Sequence, residues 1–307
     1  MESLPEQATA YLAPIGFDHI LKQTLGKNIV TQLGQLFICD TYIPGIYWAQ
    51  NIWMNPKIIL FQSISDAAKK LRAIQRDWAN YSFQLHRRSH LITDLLPKLK
   101  RFPINFPEKN YLRLPLGSWT LLSQNTLLAA TNCSSTLPNG AAHFVENKFD
   151  PPSRAYLKLW EACTIINRYP KAGDICLDLG SSPGGWSWAL SNLGAQVVSV
   201  DRSPLALSIQ TNPLVKFVQG SAFALEPNQF KHLDWIVSDL ICYPTKSFDL
   251  LRKWLLAFPK ANFIWTIKFQ GETDHQTTNM FASIPGSHIQ HLYHNKHELT
   301  WMKPSDL

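Results

Sequence analysis

Short apolar runs closed by glycine or proline mark out the first half of the chain. Residues 10–13 read as a strand ended by Pro14 and Gly16, residues 17–25 as a helix stopped by Gly26, and residues 36–39 as another strand. Tyr47, Trp48, Trp53 and Met54, followed by the apolar run 58–61, form an aromatic-rich block expected to pack a core. Residues 64–73 predict an amphipathic helix with Ser65 as its N-cap. Residues 119–122 and 126–130 predict a hairpin, a loop follows through Gly140, and Asp150-Pro151-Pro152 marks a boundary.

Beyond that boundary strand and helix patterns alternate. A helix over 154–168 leads to a strand at 175–179, a helix at 184–193 and strands at 196–200 and 215–218. A strand at 235–237, a helix at 245–257, a strand at 263–267 and two closing strands near 288–293 and 298–302 complete the series. Alternation of this kind calls for a mostly parallel sheet covered on both faces. The strands end on polar residues, Asp178, Asp201, Ser221 and Asp239, which the fold gathers along one edge as a ligand crevice. After the first strand comes Gly180, Ser181, Ser182, Pro183, Gly184 and Gly185, then the helix opening with Trp186. Glycines there let a ligand approach the backbone, and free N–H groups at a helix start favour anionic groups. The loop is neither a G-x-G-x-x-G fingerprint nor a Walker A motif. Asp201, 23 positions after Asp178, stands where such sheets place the acid that accepts both hydroxyls of a nucleoside ribose.

With 307 residues, 45% of them hydrophobic and 17% charged, the chain has the length and composition for two globular domains. No apolar run reaches the length of a membrane span and the first five residues lack a signal-peptide layout, so no membrane association is expected. Five cysteines with no C-x-x-C pair point away from disulfides and zinc and toward a reducing cytoplasm. The histidines show no metal-ligand spacing, and no metal is expected. Of the net charge of +7, residues 1–152 carry +5, with 15 Lys and Arg against 10 Asp and Glu, an imbalance suited to a polyanion-gripping domain. Arg87, Arg88, Lys98, Lys100 and Arg101 lie among Trp78, Tyr81, Phe83, His86 and His90, a mixture suited to RNA phosphates and unpaired bases. The competing reading is that the aromatics are core and the charges a solvated face.

The segment Asp-Leu-Gly-x-x-Pro-Gly-Gly-Trp at 178–186 resembles the S-adenosylmethionine (SAM) loop of the FtsJ-type RNA ribose 2′-O-methyltransferases. Ser153-Arg154-Ala155-Tyr156-Leu157-Lys158-Leu159 is similar to that family's Ser-Arg-x-x-x-Lys-Leu helix. The run from His291 to Thr300 resembles the closing strand of its two-domain members, which methylate a cytidine ribose of large-subunit (23S) ribosomal RNA. The resemblance covers residues 150–303. It implies a Rossmann-like SAM-dependent methyltransferase domain over 151–307 and an N-terminal α+β, THUMP-like RNA-binding domain over 1–150. It further implies SAM as cofactor and RNA as partner, with Asp178, Gly180, Ser182, Pro183, Gly184, Gly185, Trp186, Asp201, Ser221 and Asp239 around the cofactor. The family's Lys-Asp-Lys-Glu tetrad is filled by Lys158, Asp239, Lys268 and Glu298. Lys268 is the expected general base, because a ribose hydroxyl is nearly un-ionised at neutral pH and must pass its proton to something. Partial burial and the charge of Lys158 favour its neutral form, so the rate is expected to rise toward weakly alkaline pH. The chain departs from the family at Ser221, where an Asp normally meets the adenine amino group, and at Ala155, where the two-domain members carry serine. Two other readings stay open: a catalytically inactive RNA-binding or ribosome-assembly protein on the same fold, and a methyltransferase with another acceptor. The sequence Asp239-Leu240-Ile241-Cys242 lacks the Asn/Asp-Pro-Pro-Tyr/Phe loop of adenine N-methylation.

Overall fold

The computed structural model describes residues 4–99, 102–108 and 116–305, so Lys100 and Arg101 lie outside the described residues. The chain forms two compact units, Met1–Asn105 with Asn110–Phe144, and Phe106–Lys109 with Val145–Leu307. The short segment 106–109 belongs with the second unit because Phe106 stacks on Trp160, ring centroids 4.6 Å apart, and Tyr169 Oη donates to the Glu108 carbonyl at 3.3 Å.

The first unit is α+β. Strands β1 (Thr9–Leu12), β2 (Ile29–Leu33), β3 (Leu36–Cys39), β4 (Asn51–Met54) and β9 (Asn132–Cys133) form an antiparallel sheet in the order β2-β3-β1-β4-β9. Strands β5 (Lys57–Leu60), β6 (Trp78–Asn80), β7 (Gly117–Ser123) and β8 (Thr126–Ala130) form a second sheet, β5-β8-β7-β6, in which only β6 and β7 run parallel. Helices α1 (Asp18–Leu25), α2 (Ile64–Ile74) and α3 (His86–Asp94) complete the unit. Helix α2 is capped by Ser63, not Ser65: the Ser63 backbone is extended and its Oγ accepts from Asp66 N at 3.1 Å, while Ser65 lies inside the first turn. Trp78 and Trp119 are core, packed with Ala67, Leu71 and Ile92, which removes Trp78 from the aromatics open to a base. Arg87 and Lys98 are exposed, whereas Arg88 is half-buried with its guanidinium 5.5 Å over the Phe61 ring.

The second unit is built on one seven-stranded sheet. In chain order its elements are α4 (Tyr156–Ile166), β10 (Ile175–Leu179), α5 (Gly185–Asn192), β11 (Gln196–Asp201), α6 (Leu207–Gln210) and β12 (Val215–Gln219). They continue with β13 (Trp235–Ser238), α7 (Pro244–Ala257), β14 (Asn262–Lys268), α8 (His275–Ala282), β15 (His288–Gln290) and β16 (Glu298–Lys303). The strand order is β12-β11-β10-β13-β14-β16-β15. The first five are parallel, and β16 runs antiparallel between β14 and β15. Helices α6 and α8, short and weakly patterned, have no counterpart in the sequence reading. Strands β10 and β13 are buried along nearly their whole length, as an interior parallel strand requires. No helix among the described residues is long and apolar enough to cross a membrane, and all five cysteines are free.

Candidate active site

The strand order reverses between β10 and β13, and the carboxyl ends of β10, β11, β12 and β13 surround a cavity of about 380 Å3. Gly180, Ser182, Asp201, Ser221, Asp239 and Lys268 all line it. Two glycines of the loop are required by their surroundings. Gly180 has φ 80°, and a Cβ there would lie 2.8 Å from the Leu240 side chain. Gly184 has φ 112° and abuts Ile209. Asp201 is fixed by main-chain donors, with Oδ2 accepting from Ser182 N at 3.0 Å and Oδ1 from Ser203 N at 2.9 Å. Each oxygen keeps a lone pair for a further donor. Ser221 Oγ accepts from Arg202 Nη2 at 3.4 Å, so a guanidinium stands beside that hydroxyl.

Asp178 is fully buried and does not face the cavity: its Oδ2 accepts from Ser187 Oγ on α5 at 2.6 Å and braces the loop from behind. Burial pushes its carboxyl up to about 7, against the Ser187 hydrogen bond that holds it down. Pro183, Gly184, Gly185 and Trp186 shape the loop without lining the cavity, and Trp186 Nε1 donates to the Ala155 carbonyl at 2.8 Å. Two buried atoms of this region, Asp178 Oδ1 and Ser181 Oγ, have no hydrogen-bond partner among the described residues. Unpaired buried polar atoms are costly, and these two lie behind the loop, away from the cavity. The cavity, the close backbone at Gly180 where a Cβ has no room, and the fixed Asp201 carboxylate together fit a nucleoside carrying an amino-acid tail, as SAM does.

The four tetrad positions converge beside the same cavity, with Asp239 and Lys268 at its rim and Lys158 and Glu298 behind them. Lys158 enters from α4, Asp239 follows β13, Lys268 ends β14 and Glu298 begins β16. The antiparallel register of β14 and β16 sets Lys268 directly opposite Glu298. Lys158 Nζ donates to Asp239 Oδ1 and Oδ2 at 2.8 and 2.9 Å and to Glu298 Oε1 at 3.0 Å. Lys268 Nζ lies 3.0 Å from Asp239 Oδ1. The side chains of Lys158, Glu298, Asp239 and Lys268 are 10, 7, 17 and 19% exposed, so the two lysines differ in access. Burial alone would push the Lys158 amine down, but Asp239 and Glu298 outweigh it and hold it above its ordinary value. Asp239 is pushed up by burial, yet Lys158 and Lys268 overcome that and keep its carboxyl low. Lys158 is therefore the fixed cation of the cluster, and Lys268 the amine that reaches the cavity.

Three supporting residues escaped the sequence reading. Thr266 Oγ1 donates to Asp239 Oδ1 at 2.6 Å. Asn295 Nδ2, three positions before β16 begins, donates to the Glu298 carbonyl at 3.2 Å. Glu161, fully buried on α4, accepts from Tyr293 N at 2.7 Å and from His294 N at 3.1 Å. Its signal was in the chain, a carboxylate among Leu157, Leu159, Trp160, Ala162 and Cys163 and one helical turn from Lys158. Among the described residues no group of three or more His, Cys, Asp and Glu could hold a metal ion.

A family model described as FtsJ-like methyltransferase matches residues 151–305, half of the chain. The chain belongs to the FtsJ-like methyltransferase family. The match spans the second unit's sheet and all four tetrad positions. Proteins named ribosomal RNA large subunit methyltransferase M are similar to it. That of Thauera aminoaromatica is 29% identical over 182 residues, covering 54% of this chain and 49% of its own. The Idiomarina loihiensis protein is 29% identical over 185 residues, covering 54% and 50%, and the Halorhodospira halophila protein 32% over 157 residues, covering 48% and 46%. This FtsJ-like chain thus spans about half the length of those curated relatives.

Proposed function

We propose that this chain transfers the methyl group of SAM to a ribose 2′-hydroxyl of RNA, with large-subunit (23S) ribosomal RNA as the substrate. The observation that carries the reading is the Lys158–Asp239–Lys268–Glu298 cluster beside the cavity, with contacts of 2.8 to 3.0 Å. SAM supplies an electrophilic methyl on a sulfonium. Asp201 takes the ribose hydroxyls of the cofactor, Ser221 the adenine edge, and the 180–185 loop the methionine end. Lys268, the accessible amine, accepts the proton of the 2′-hydroxyl once it has given up its own to solvent, and loss of the methyl turns the sulfonium into a neutral thioether. Asp239 holds that amine in place, and Lys158, kept charged by Asp239 and Glu298, balances the carboxylates. Much of the acceleration comes from alignment, which needs all four groups fixed. In the same reading the chain divides into an RNA-binding, THUMP-like domain over 1–150 and the methyltransferase domain over 151–307, and works in the cytoplasm. Arg87 and Lys98 are the exposed candidates for phosphate contacts, while Arg88, engaged with Phe61, is the poorer one.

The test is transfer of labelled methyl from SAM to ribosomal RNA by wild type and Lys268→Ala, with nuclease mapping of the product. Label in an alkali-resistant dinucleotide, lost in the variant while SAM binding persists, is the expected result. A wild type that binds SAM but labels neither naked RNA nor ribosomal particles would overturn the reading in favour of an inactive RNA-binding protein.

A further inference from the structure

Glu298 occupies the first position of β16, and nothing in a strand end by itself fixes a side chain to better than a rotamer. The segment before it turns sharply from β15 back to β16, with Asn295 N donating to the Leu292 carbonyl at 3.0 Å. A side chain of α4, Glu161, ties that turn to the helix. Glu161 is 0% exposed and spreads its two oxygens over consecutive amides, Tyr293 N at 2.7 Å and His294 N at 3.1 Å. Lys158, three residues earlier on the same helix, holds Glu298 Oε1 at 3.0 Å. Helix α4 therefore grips both ends of one short segment, at 293–294 through Glu161 and at 298 through Lys158. Within the segment Lys296 N approaches Glu298 Oε1 at 3.4 Å and Asn295 Nδ2 meets both the Glu298 carbonyl and Thr300 Oγ1, which makes the span stiff.

We infer that Glu161 is a positioning residue of the methyl-transfer site, which sets the distance between Lys158 and Glu298 by clamping the Tyr293–His294 amides to α4. The inference rests on the methyltransferase reading above and deepens it. A buried carboxylate is an expensive way to hold a turn, since a fully buried acid must give up its hydration. A rigid cross-brace beside the tetrad gives that burial a use, because displacement of a catalytic group by about 1 Å can cost roughly a hundredfold in rate. Glu161 itself touches no member of the tetrad among its hydrogen bonds. It acts on Glu298 only through the turn.

Glu161→Gln isolates this role. A carboxyl in either protonation state offers an acceptor at both oxygens, whereas an amide offers one and turns a donor toward the other N–H. The decisive measurement needs no activity. The Lys158–Glu298 coupling, obtained from urea melts of Lys158→Met, Glu298→Gln and the double variant, is expected to fall by about half or more in the Glu161→Gln background. A role limited to general stability lowers every melt equally and leaves the coupling unchanged, which would overturn the inference. In the transfer assay kcat should drop about tenfold or more with the SAM dissociation constant within about twofold of wild type. Should Glu161→Gln fold poorly, faster amide exchange confined to residues 292–298 in Glu161→Asp, whose carboxyl is one methylene too short, gives the same answer. Unchanged exchange there would also refute it. A wild type without transfer activity would sink the methyltransferase reading while the coupling and exchange results still decide the role of Glu161.

Discussion

Replacing Lys158 by Met keeps the apolar stem of the side chain on α4 and removes the ammonium, with its charge and its three donors. In the folded protein that charge is met at 2.8, 2.9 and 3.0 Å by three carboxylate oxygens from Asp239 and Glu298. Asp239 keeps Lys268 at 3.0 Å and Thr266 at 2.6 Å, but Glu298, 7% exposed, loses its cation. Removing one partner of a buried pair costs about 3–5 kcal/mol, far more than the pair contributes over an apolar substitute, because the abandoned charge stays buried. The cost should depend on pH. Burial raises the Asp239 carboxyl, Lys158 and Lys268 more than reverse this, and the net value is lowered. A carboxyl lowered in the folded state contributes stability that is complete above its ordinary value near 4 and is lost as pH falls through the lowered value. The difference between wild type and Lys158→Met should therefore be largest at neutral pH and shrink as pH falls from about 4, where the unfolded chain takes up the Asp239 proton, through the lowered value, where the folded protein does too. Urea unfolding at pH 7 and at pH 3.5, each with Lys158→Met and Lys158→Met/Glu298→Gln, measures it. The double variant should regain a substantial part of the loss at neutral pH, since the stranded charge is gone. A loss below about 1 kcal/mol at pH 7, or no recovery with Gln at 298, would show that the cluster is a solvated surface network and not a buried one.

Asp178 supplies a stability change of opposite sign. Its carboxyl is raised from 3.8 to about 7 by burial, so the folded state holds a proton that the unfolded chain has released, and stability falls as pH rises from 4 to 7. The total change across that range is on the order of 4 kcal/mol, and Asp178→Asn, which never ionises, should flatten it in thermal melts from pH 4 to 7. An unchanged slope would mean that Asp178 is hydrated after all. At the adenine end, Ser221→Asp restores an acid beside Arg202, now 3.4 Å from the Ser221 hydroxyl, and should tighten SAM binding by about threefold to tenfold in calorimetry, since a charged acceptor roughly doubles a hydrogen bond's strength. Weaker binding in that variant would place the adenine elsewhere.

What could be read from the sequence follows from how local each interaction is. The strands of the second unit were legible because each is a short apolar run ending on a polar residue, and the parallel sheet then forces Asp201, Ser221 and Asp239 to one edge whatever the loops do. Lys158 and Glu298, 140 positions apart, could be joined only through resemblance, because no periodicity links a helix in the middle of the chain to its last strand. Asp178 shows the limit in the other direction. A strand-end acid in an open sheet is expected at the crevice, but Ser187 one helical turn into α5 captures its Oδ2 at 2.6 Å and turns it inward. At α2 the expected cap, Ser65, gave way to Ser63, because the extended backbone at Ser63 brings its hydroxyl to Asp66 N, a geometry that residue type alone does not show. In the first unit the pattern paired only the hairpin of β7 and β8, which the structure shows; it could not pair the other strands, since β1 pairs with β3 and β4 and the β5–β8 partners lie about 70 residues apart, and sequence spacing carries no information on such register. Its aromatics misled for a related reason. Trp78 and Arg88 sit in one basic, aromatic run, yet α2 and α3 bury the Trp78 ring in the core and draw Arg88 onto Phe61, leaving Arg87 and Lys98 to face the solvent. In the RNA-binding reading proposed above, Arg87 and Lys98 need further basic contacts beside them to hold a polyanion at physiological salt.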